Sequence, residues 1–331
     1  MNFKRRSILL VISISVFFLI LAFAALGYAS GQDVDEPHAG STLSAAGAAV
    51  VMQAMPTQIF TDVPEKHPYY DQIQDLATSG IVKGYGGSLF GPDDPLRRQQ
   101  FAKMIVLTLG LPVSESDKCV FRDVDDSGPK SLYPDNYVAV CAQYGITIGR
   151  TSTDFDPFGF VTRQQLVTMV ARAAGLPDPS GALPPFGTPQ FDPKEHYLNA
   201  WKAYQAGLYA GLDGIGKDFN FFGKATRGEV CALLYNLLRS PVAAEGRAIR
   251  AAIQDSLGAE THFRTTHLKV SGDWAGAVIM PTDFVADPLQ VLLHRVHGVW
   301  TVVDYGTGYE AADWMAQGAP IDIAEWLEGL S

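Results

Sequence analysis

Residues 154–176 read DFDPFGFVTRQQLVTMVARAAGL, and residues 88–111 read SLFGPDDPLRRQQFAKMIVLTLGL. Both stretches place an arginine eight residues after a phenylalanine and continue into an apolar helical run that ends at Gly-Leu. A weaker third copy follows at residues 219–238, FNFFGKATRGEVCALLYNLL. Three copies of one pattern in one chain indicate a repeat architecture, so the fold is predicted from the structure of one repeat unit.

The register of the copies is set by a glycine that follows a helical segment. Counted from this glycine, the recurring positions have offsets of 0, 4, 10 and 18 in the first two copies, and the third copy has two extra residues before its phenylalanine. The positions are Gly80, Gly84, Phe90 and Arg98, then Gly145, Gly149, Phe155 and Arg163, then Gly207, Gly211, Phe219 and Arg227.

Each copy divides into the same local elements. It opens on an aromatic-Asp motif, FTDV, FRDV or the weaker FDPK, and continues into an amphipathic helix that the glycine stops. A Gly-rich arm and a second helix follow. We therefore predict three helix-loop-helix repeats at 57–112, 117–177 and 184–240, and because one such unit cannot bury its own apolar faces, the three together form one mainly α-helical core.

The corner where the arm meets the second helix carries the most chemical information. TRQQ at 162–165 and TRGE at 226–229 fit a capping box, in which Thr and Gln or Glu satisfy free backbone amides. The first copy has Arg97 at the threonine position. An arginine at the first helical position faces the positive end of the helix dipole, so folding does not favour it there. Its recurrence indicates either a receptor for a carboxylate or phosphate or a bridge to an acidic residue of a neighbouring repeat.

With GIVKGY, LFGP and RRQQF in the first copy and GITIGR, DFDP and VTRQQL in the second, residues 57–240 resemble S-layer homology repeats. The resemblance implies a pseudo-threefold trimer of repeats around a central helical bundle, with ligand grooves between neighbours. It also implies non-covalent attachment to an anionic secondary cell-wall polysaccharide, often one that bears pyruvate ketals. The ligand-binding residues that it marks are Arg98, Arg163 and Arg227, supported by Gly84, Tyr85, Gly149 and Gly211.

The departures from the family pattern bear on which grooves work. Arg150 and Leu212 stand where the first copy has Tyr85, so stacking on a sugar is expected only in the first groove. Glu229 is the acidic member of the third corner, where the other two corners have Gln100 and Gln165. The arm glycines are expected to let a sugar ring approach the backbone. Not all three grooves need be competent.

The amino-terminal segment predicts export. A basic NFKRR precedes an uncharged apolar run at 8–29, which is typical of a signal peptide and is also long enough for a membrane anchor. Residues 1–30 are therefore a cleaved signal peptide or an uncleaved anchor, and residues 31–56 a flexible spacer. The remainder is expected at the cell wall or cell surface, with membrane contact only through an uncleaved anchor.

The net charge limits the class of partner, and the cysteines suggest a disulfide. With 35 acidic and 25 basic residues the net charge is -10, which argues against a nucleic-acid partner because that needs a concentrated basic surface. In an oxidising compartment, Cys119 and Cys141 are candidates for a disulfide within the second repeat. Cys231 lies in an apolar helix and is predicted to be a core residue.

Residues 243–331 lack the repeat signature. A helix, strand-like alternation, a hairpin that turns at His297 and Gly298, and two closing helices predict a small α+β domain. No nucleophile with a base, metal cluster or cofactor loop emerges, so we expect neither catalysis nor a cofactor or metal, and the partner of this domain stays open. A wall-targeted enzyme that acts on glycan or peptide is the alternative, and a protein that assembles into a lattice is a third interpretation.

Overall fold

The computed structural model describes residues 58–282 and 286–330. The predicted signal or anchor at 1–30, the whole predicted spacer at 31–56 and the first residue of the first predicted repeat lie outside them. No helix within the described ranges is long and apolar enough to cross a membrane.

The helices are α1 Tyr70–Thr78, α2 Arg98–Leu109, α3 Asp135–Gln143, α4 Arg163–Ala174, α5 Lys194–Gln205, α6 Arg227–Arg239, α7 Pro241–Leu257, α8 Ala311–Ala316 and α9 Ile321–Glu328. The strands are β1 Phe263–Ser271, β2 Trp274–Pro281, β3 Leu289–Val296 and β4 Val299–Gly306.

The helix ends follow the local signals in the sequence. Gly80, Gly145 and Gly207 follow α1, α3 and α5 with φ of 73°, 64° and 73°, which is the left-handed conformation that stops a helix. The second helix of each repeat begins at the predicted arginine. Thr162 and Thr226 accept from the amides of Gln165 and Glu229, so both predicted capping boxes are confirmed.

The six helices of residues 58–240 pack across the repeats. Helices α2, α4 and α6 contact one another, while α2 also contacts α3, α4 contacts α5, and α6 contacts α1. The extended residues before the three inner helices close a ring of backbone hydrogen bonds. In this ring Leu96 N donates to Ala225 O (3.1 Å), Ala225 N to Val161 O (2.9 Å) and Val161 N to Leu96 O (3.0 Å). All three side chains are buried, so the ring lies inside the shared core.

The aromatic-Asp motif holds the arm against the core. Phe60 packs on Phe90 with ring centroids 5.1 Å apart, and the Asp62 carboxylate accepts from the amides of Phe90 and Gly91 at 2.8 and 2.7 Å. The second repeat repeats this geometry. In the third repeat the ring that packs on Phe191 is Phe221, at 4.3 Å, rather than the Phe219 that the spacing aligns with Phe90. The two inserted residues shift the buried aromatic position by two.

The described residues from 241 onward form the predicted α+β domain. The four strands form an antiparallel sheet in the order β1-β2-β3-β4, and the β3–β4 hairpin turns at His297 and Gly298 with φ of 51° and 82°, as predicted. Helix α7 packs on one face, and α8 and α9 pack on the other. Helix α7 begins at Pro241, two residues before the predicted domain start, because Ser240 caps it directly after α6 ends.

The predicted disulfide between Cys119 and Cys141 is wrong, since both cysteines are free thiols. Cys141 is fully buried on α3, and its Sγ lies 3.5 Å from the Ala102 carbonyl oxygen on α2. Its side chain therefore packs between two helices. Cys119 is half-buried at the edge of the same core, and Cys231 is a buried core residue as predicted.

Candidate anion-binding grooves

The three predicted arginines reach from one repeat to the arm of another. Arg98 Nε donates to the Phe155 carbonyl oxygen at 2.7 Å, and Arg227 Nε donates to that of Phe90 at 2.8 Å. Arg163 Nη1 donates to the Asn220 carbonyl oxygen at 3.3 Å. Each guanidinium is thus held by a neutral backbone acceptor, which fixes its position without cancelling its charge.

Of the three arginines, Arg163 alone is neutralised by a carboxylate from the part of the chain that the structure describes. Its Nε lies 2.9 and 3.0 Å from the two Glu229 oxygens, and its Nη2 lies 2.8 Å from Oε1. The cavity beside this pair has a volume of about 10 Å³. There is no room for a sugar at this corner, so the third predicted groove is closed in this structure.

Arg227 borders an open groove of about 440 Å³, here called the first groove. Its Nη2 donates to the Lys83 carbonyl oxygen at 2.8 Å, and its guanidinium carbon lies 4.3 Å from the centre of the Phe90 ring. No described carboxylate lies within ion-pair distance of it. The lining contributes the three cations Lys83, Lys103 and Arg227 and no acidic residue.

Two tyrosines also line the first groove. Tyr133 and Tyr137 line it, and Lys103 Nζ lies 5.3 Å from the centre of each ring. Burial is the largest influence on the Tyr133 phenol and raises its pKa above the ordinary value, so the hydroxyl stays protonated at neutral pH. The groove therefore offers positive charge beside aromatic faces and hydroxyl donors, a combination suited to an acidic sugar.

Arg98 borders the second groove, a cavity of about 300 Å³. The arginine is buried, and its Nη1 lies 3.3 Å from Gln165 Oε1. Burial, and next the positive charge of Arg150, lower its pKa to about 10. The guanidinium is still cationic at neutral pH, and no carboxylate in the described part of the chain forms an ion pair with it.

The other charges of the second groove are largely matched. Arg150 pairs with Asp156 and Arg172 pairs with Glu195, both at 2.5 Å. His196 lies 2.6 Å from the Thr168 hydroxyl, and burial, followed by Arg172, lowers its pKa. The imidazole is thus neutral at pH 7, and the second groove is less cationic than the first.

The structure gives the arm glycines a packing role. A Cβ on Gly84 would lie 2.8 Å from the Phe60 ring, and one on Gly149 would lie 2.5 Å from the Phe121 ring. The arm therefore needs glycine to cross its own buried aromatic residue. Gly149 also lines the second groove, while Gly211 has open space around it and a φ of 76°.

Tyr85 is 58% exposed, and its ring centre lies 4.7 Å from the Arg227 guanidinium carbon. It packs against the arginine from outside the first groove. Sequence reasoning missed three residues that line this groove, Lys103, Tyr133 and Tyr137. A signal was present for Lys103, because Gln100, Lys103 and Leu107 recur at i, i+3 and i+7 on one face of α2.

Comparison with known proteins agrees with the resemblance seen in the first repeat. Residues 59–102 match the family model of the S-layer homology domain. A cell surface protein of Thermoanaerobacter kivui is 27% identical over 206 residues, which cover 61% of this chain and 24% of that protein. An S-layer protein of Bacillus licheniformis is 30% identical over 139 residues, covering 42% and 15%. An endoglucanase of Bacillus sp. (strain KSM-635) is 30% identical over 114 residues, covering 34% and 11%. The chain spans less than a quarter of each relative.

Proposed function

We propose that this chain, which carries an S-layer homology domain, attaches non-covalently to the cell envelope by binding an anionic secondary cell-wall polysaccharide. The three helix-loop-helix segments act as three repeats around a common axis, with α2, α4 and α6 as the central bundle. The acidic groups of the polymer, such as pyruvate ketals, bind beside Arg227 in the first groove and beside Arg98 in the second. The protein is exported and resides at the cell wall or cell surface.

One contrast carries the proposal. Three arginines occupy matching helix starts, but among the described residues only Arg163 has a carboxylate partner, and its cavity is closed. Arg98 and Arg227 are buried, held by carbonyl oxygens and bordered by open grooves. Burying a charge without an opposite charge is costly, so an external anion is the partner that would complete both sites.

The relatives support surface attachment. Two are named as a cell surface protein and an S-layer protein, and the similarity to the first extends well beyond residues 59–102. The segment that is similar to the endoglucanase covers 34% of this chain. A shared wall-binding segment joined to different partners accounts for that match without assigning the enzyme's activity to this chain.

The binding test uses isolated cell walls of the source organism before and after acid removal of the secondary polymer. The chain should pellet with intact walls and stay in solution with stripped walls. Adding free polymer should compete. Equal pelleting with both wall preparations would mean that the secondary polymer is not the ligand.

A charge-filling variant tests the grooves without removing an arginine. Gln100→Glu and Gln165→Glu place in the first two corners the carboxylate that Glu229 provides in the third. The double variant should lose at least tenfold in wall affinity, because each new carboxylate neutralises its groove and repels the polymer. Its melting temperature should stay the same or rise. Gln317→Glu, an exposed change outside the grooves, is the control and should bind normally.

The second candidate is a wall-acting enzyme, for which the endoglucanase relative is the reason. It requires release of reducing sugars or soluble peptide when the purified chain is incubated with walls. We expect none, since the chain is proposed to bind only. Measurable release that persists in the Gln100→Glu/Gln165→Glu variant would assign catalysis to the carboxy-terminal domain.

A further inference from the structure

A second kind of cavity lies where helix α7 meets the end of the helical repeats. It has a volume of about 310 Å³ and is here called the junction pocket. Its apolar wall comes from the end of α2, from α4 and from residues that shortly follow α2 and α3, and its charged side comes from α7. The lining includes Leu109, Leu111, Ile146, Ala173, Arg247 and Arg250.

The two arginines of the junction pocket each donate a hydrogen bond to a backbone oxygen. Arg250 Nη2 donates to the Phe263 carbonyl oxygen at 2.7 Å, and Arg247 Nη1 donates to that of Leu237 at 3.1 Å. Neither forms an ion pair with a carboxylate of the described residues. Burial lowers the pKa of Arg250 to about 10, so it is still cationic at neutral pH.

A purely structural role would not account for most of the N–H donors of these two arginines. A guanidinium has five N–H donors, and each arginine spends one of them on a protein acceptor. Arg250 also packs on Phe263, with the guanidinium carbon 4.4 Å from the ring centre, which orients the group without neutralising it. Asp255 is the acidic residue in the lining, but it is exposed and pairs with neither arginine.

We infer that the junction pocket binds a medium-chain alkyl carboxylate, with the carboxylate at Arg247 and Arg250 and the tail along Leu109, Leu111 and Ile146. Two unpaired guanidinium groups beside an apolar wall select a ligand with one anionic end and one apolar end. A volume of about 310 Å³ corresponds to roughly ten molecules of liquid water. Octanoate, which has ten non-hydrogen atoms, matches that size and is the probe.

The test is calorimetric titration of the full chain with octanoate at neutral pH. Octanoate should bind saturably at one site. Acetate keeps the charge without the tail and 1-octanol keeps the tail without the charge, so each should bind at least tenfold more weakly. Octanol binding as tight as that of octanoate would overturn the assignment, because the arginines would then contribute nothing.

Two variants on α7 locate the site. Ala251 lines the junction pocket, and Ala248 is exposed on the same helix outside it. Ala251→Phe should fill the pocket and abolish octanoate binding, whereas Ala248→Phe should bind like the wild type, with both proteins unfolding at similar temperatures. Unchanged binding by Ala251→Phe would place octanoate elsewhere and refute the inference.

A charge variant separates this inference from wall attachment. Arg247→Gln removes one guanidinium from the half-buried rim and should weaken octanoate binding at least fivefold. Its pelleting with walls should be normal, because the junction pocket is distinct from the first and second grooves. Wild-type octanoate affinity in Arg247→Gln would contradict the role given to this arginine.

Discussion

At the scale of single residues, the recurring arginine combines the two roles that its position in the sequence left open. It is placed at the unfavourable end of a helix dipole, yet each copy gains a hydrogen bond to a carbonyl oxygen of a neighbouring arm. A hydrogen bond that links neighbouring repeats is therefore common to all three arginines. Glu229 gives Arg163 a partner that Arg98 and Arg227 lack among the described residues, so this carboxylate distinguishes a closed ion pair from an open charge.

The free thiols give a prediction at the same scale. Burial raises the pKa of Cys231 to about 12 and raises that of Cys141 further, so neither forms a thiolate in the folded protein at pH 8. In native protein a thiol reagent should modify Cys119 alone, and slowly, because burial also raises its pKa. All three thiols should react in denaturant without reductant. Only one reactive thiol in denaturant would restore the disulfide.

At the scale of elements, helix α7 joins the repeats to the sheet through a close crossing. Gly246 of α7 faces the end of α4, where a Cβ would lie 2.2 Å from the Gly175 carbonyl oxygen and 2.4 Å from that of Ala174. Both are backbone oxygens, which cannot move away by a side-chain rotation. The crossing therefore depends on glycine in the interior of a helix, a position where propensity alone disfavours it.

Gly246→Ala sets these two effects against each other. Alanine gains about 1 kcal/mol in helix propensity, but the overlap with backbone is at or beyond the upper end of the roughly 1–3 kcal/mol typical of overpacking. We expect a net loss of about 2 kcal/mol or more in the free energy of unfolding, measured by denaturant titration. Ala248→Gly on the exposed face is the comparison and should lose about 1 kcal/mol. A stabilised Gly246→Ala protein would mean that the crossing is not tight.

At the scale of the whole molecule, one carboxylate connects the repeats to the sheet. Asp178, after α4, lies 2.6 Å from Lys202 Nζ on α5 and 2.8 Å from His267 Nδ1 on β1. Its amide also donates to the Leu268 carbonyl oxygen at 2.6 Å. Burial on its own raises the pKa of Asp178, but His267 and then Lys202 outweigh it and hold the pKa below the ordinary value.

Asp178→Asn should loosen this connection. Lys202, whose side chain is 7% exposed, would lose its counter-charge, at a cost of roughly 2–4 kcal/mol for a largely buried pair. Calorimetry should show a lower melting temperature and a broader or split transition as the two cores unfold less cooperatively. Asp75→Asn breaks the exposed pair with Arg239 and should cost no more than about 1 kcal/mol. Equal effects of the two variants would contradict the connection.

The same carboxylate predicts a pH dependence. Because its folded-state pKa is lowered, its contribution is fully present above the unfolded value of about 3.9 and is lost as the pH falls through the folded value. The stability difference between wild type and Asp178→Asn should thus shrink as the pH falls below about 4. A difference that grew in acid would have the wrong sign for this group.

The sequence by itself determined the local architecture. Capping at Thr162 and Thr226, the glycine stops after α1, α3 and α5, and the β3–β4 turn each depend on residues within about four positions, so their chemistry is readable along the chain. It also indicated the repeat, since three copies of one spacing specify three similar units. Glu229 was visible as the odd member of its corner.

Only the tertiary structure decided which sites are open. Arg163 meets Glu229 from 66 positions away, and Arg227 reaches Phe90 across 137. A local sequence pattern cannot predict contacts over such separations, because burial and charge pairing depend on which repeats become neighbours in space. The cationic first groove, the unpaired thiols, the register shift at Phe221 and the junction pocket all arise from those long-range contacts.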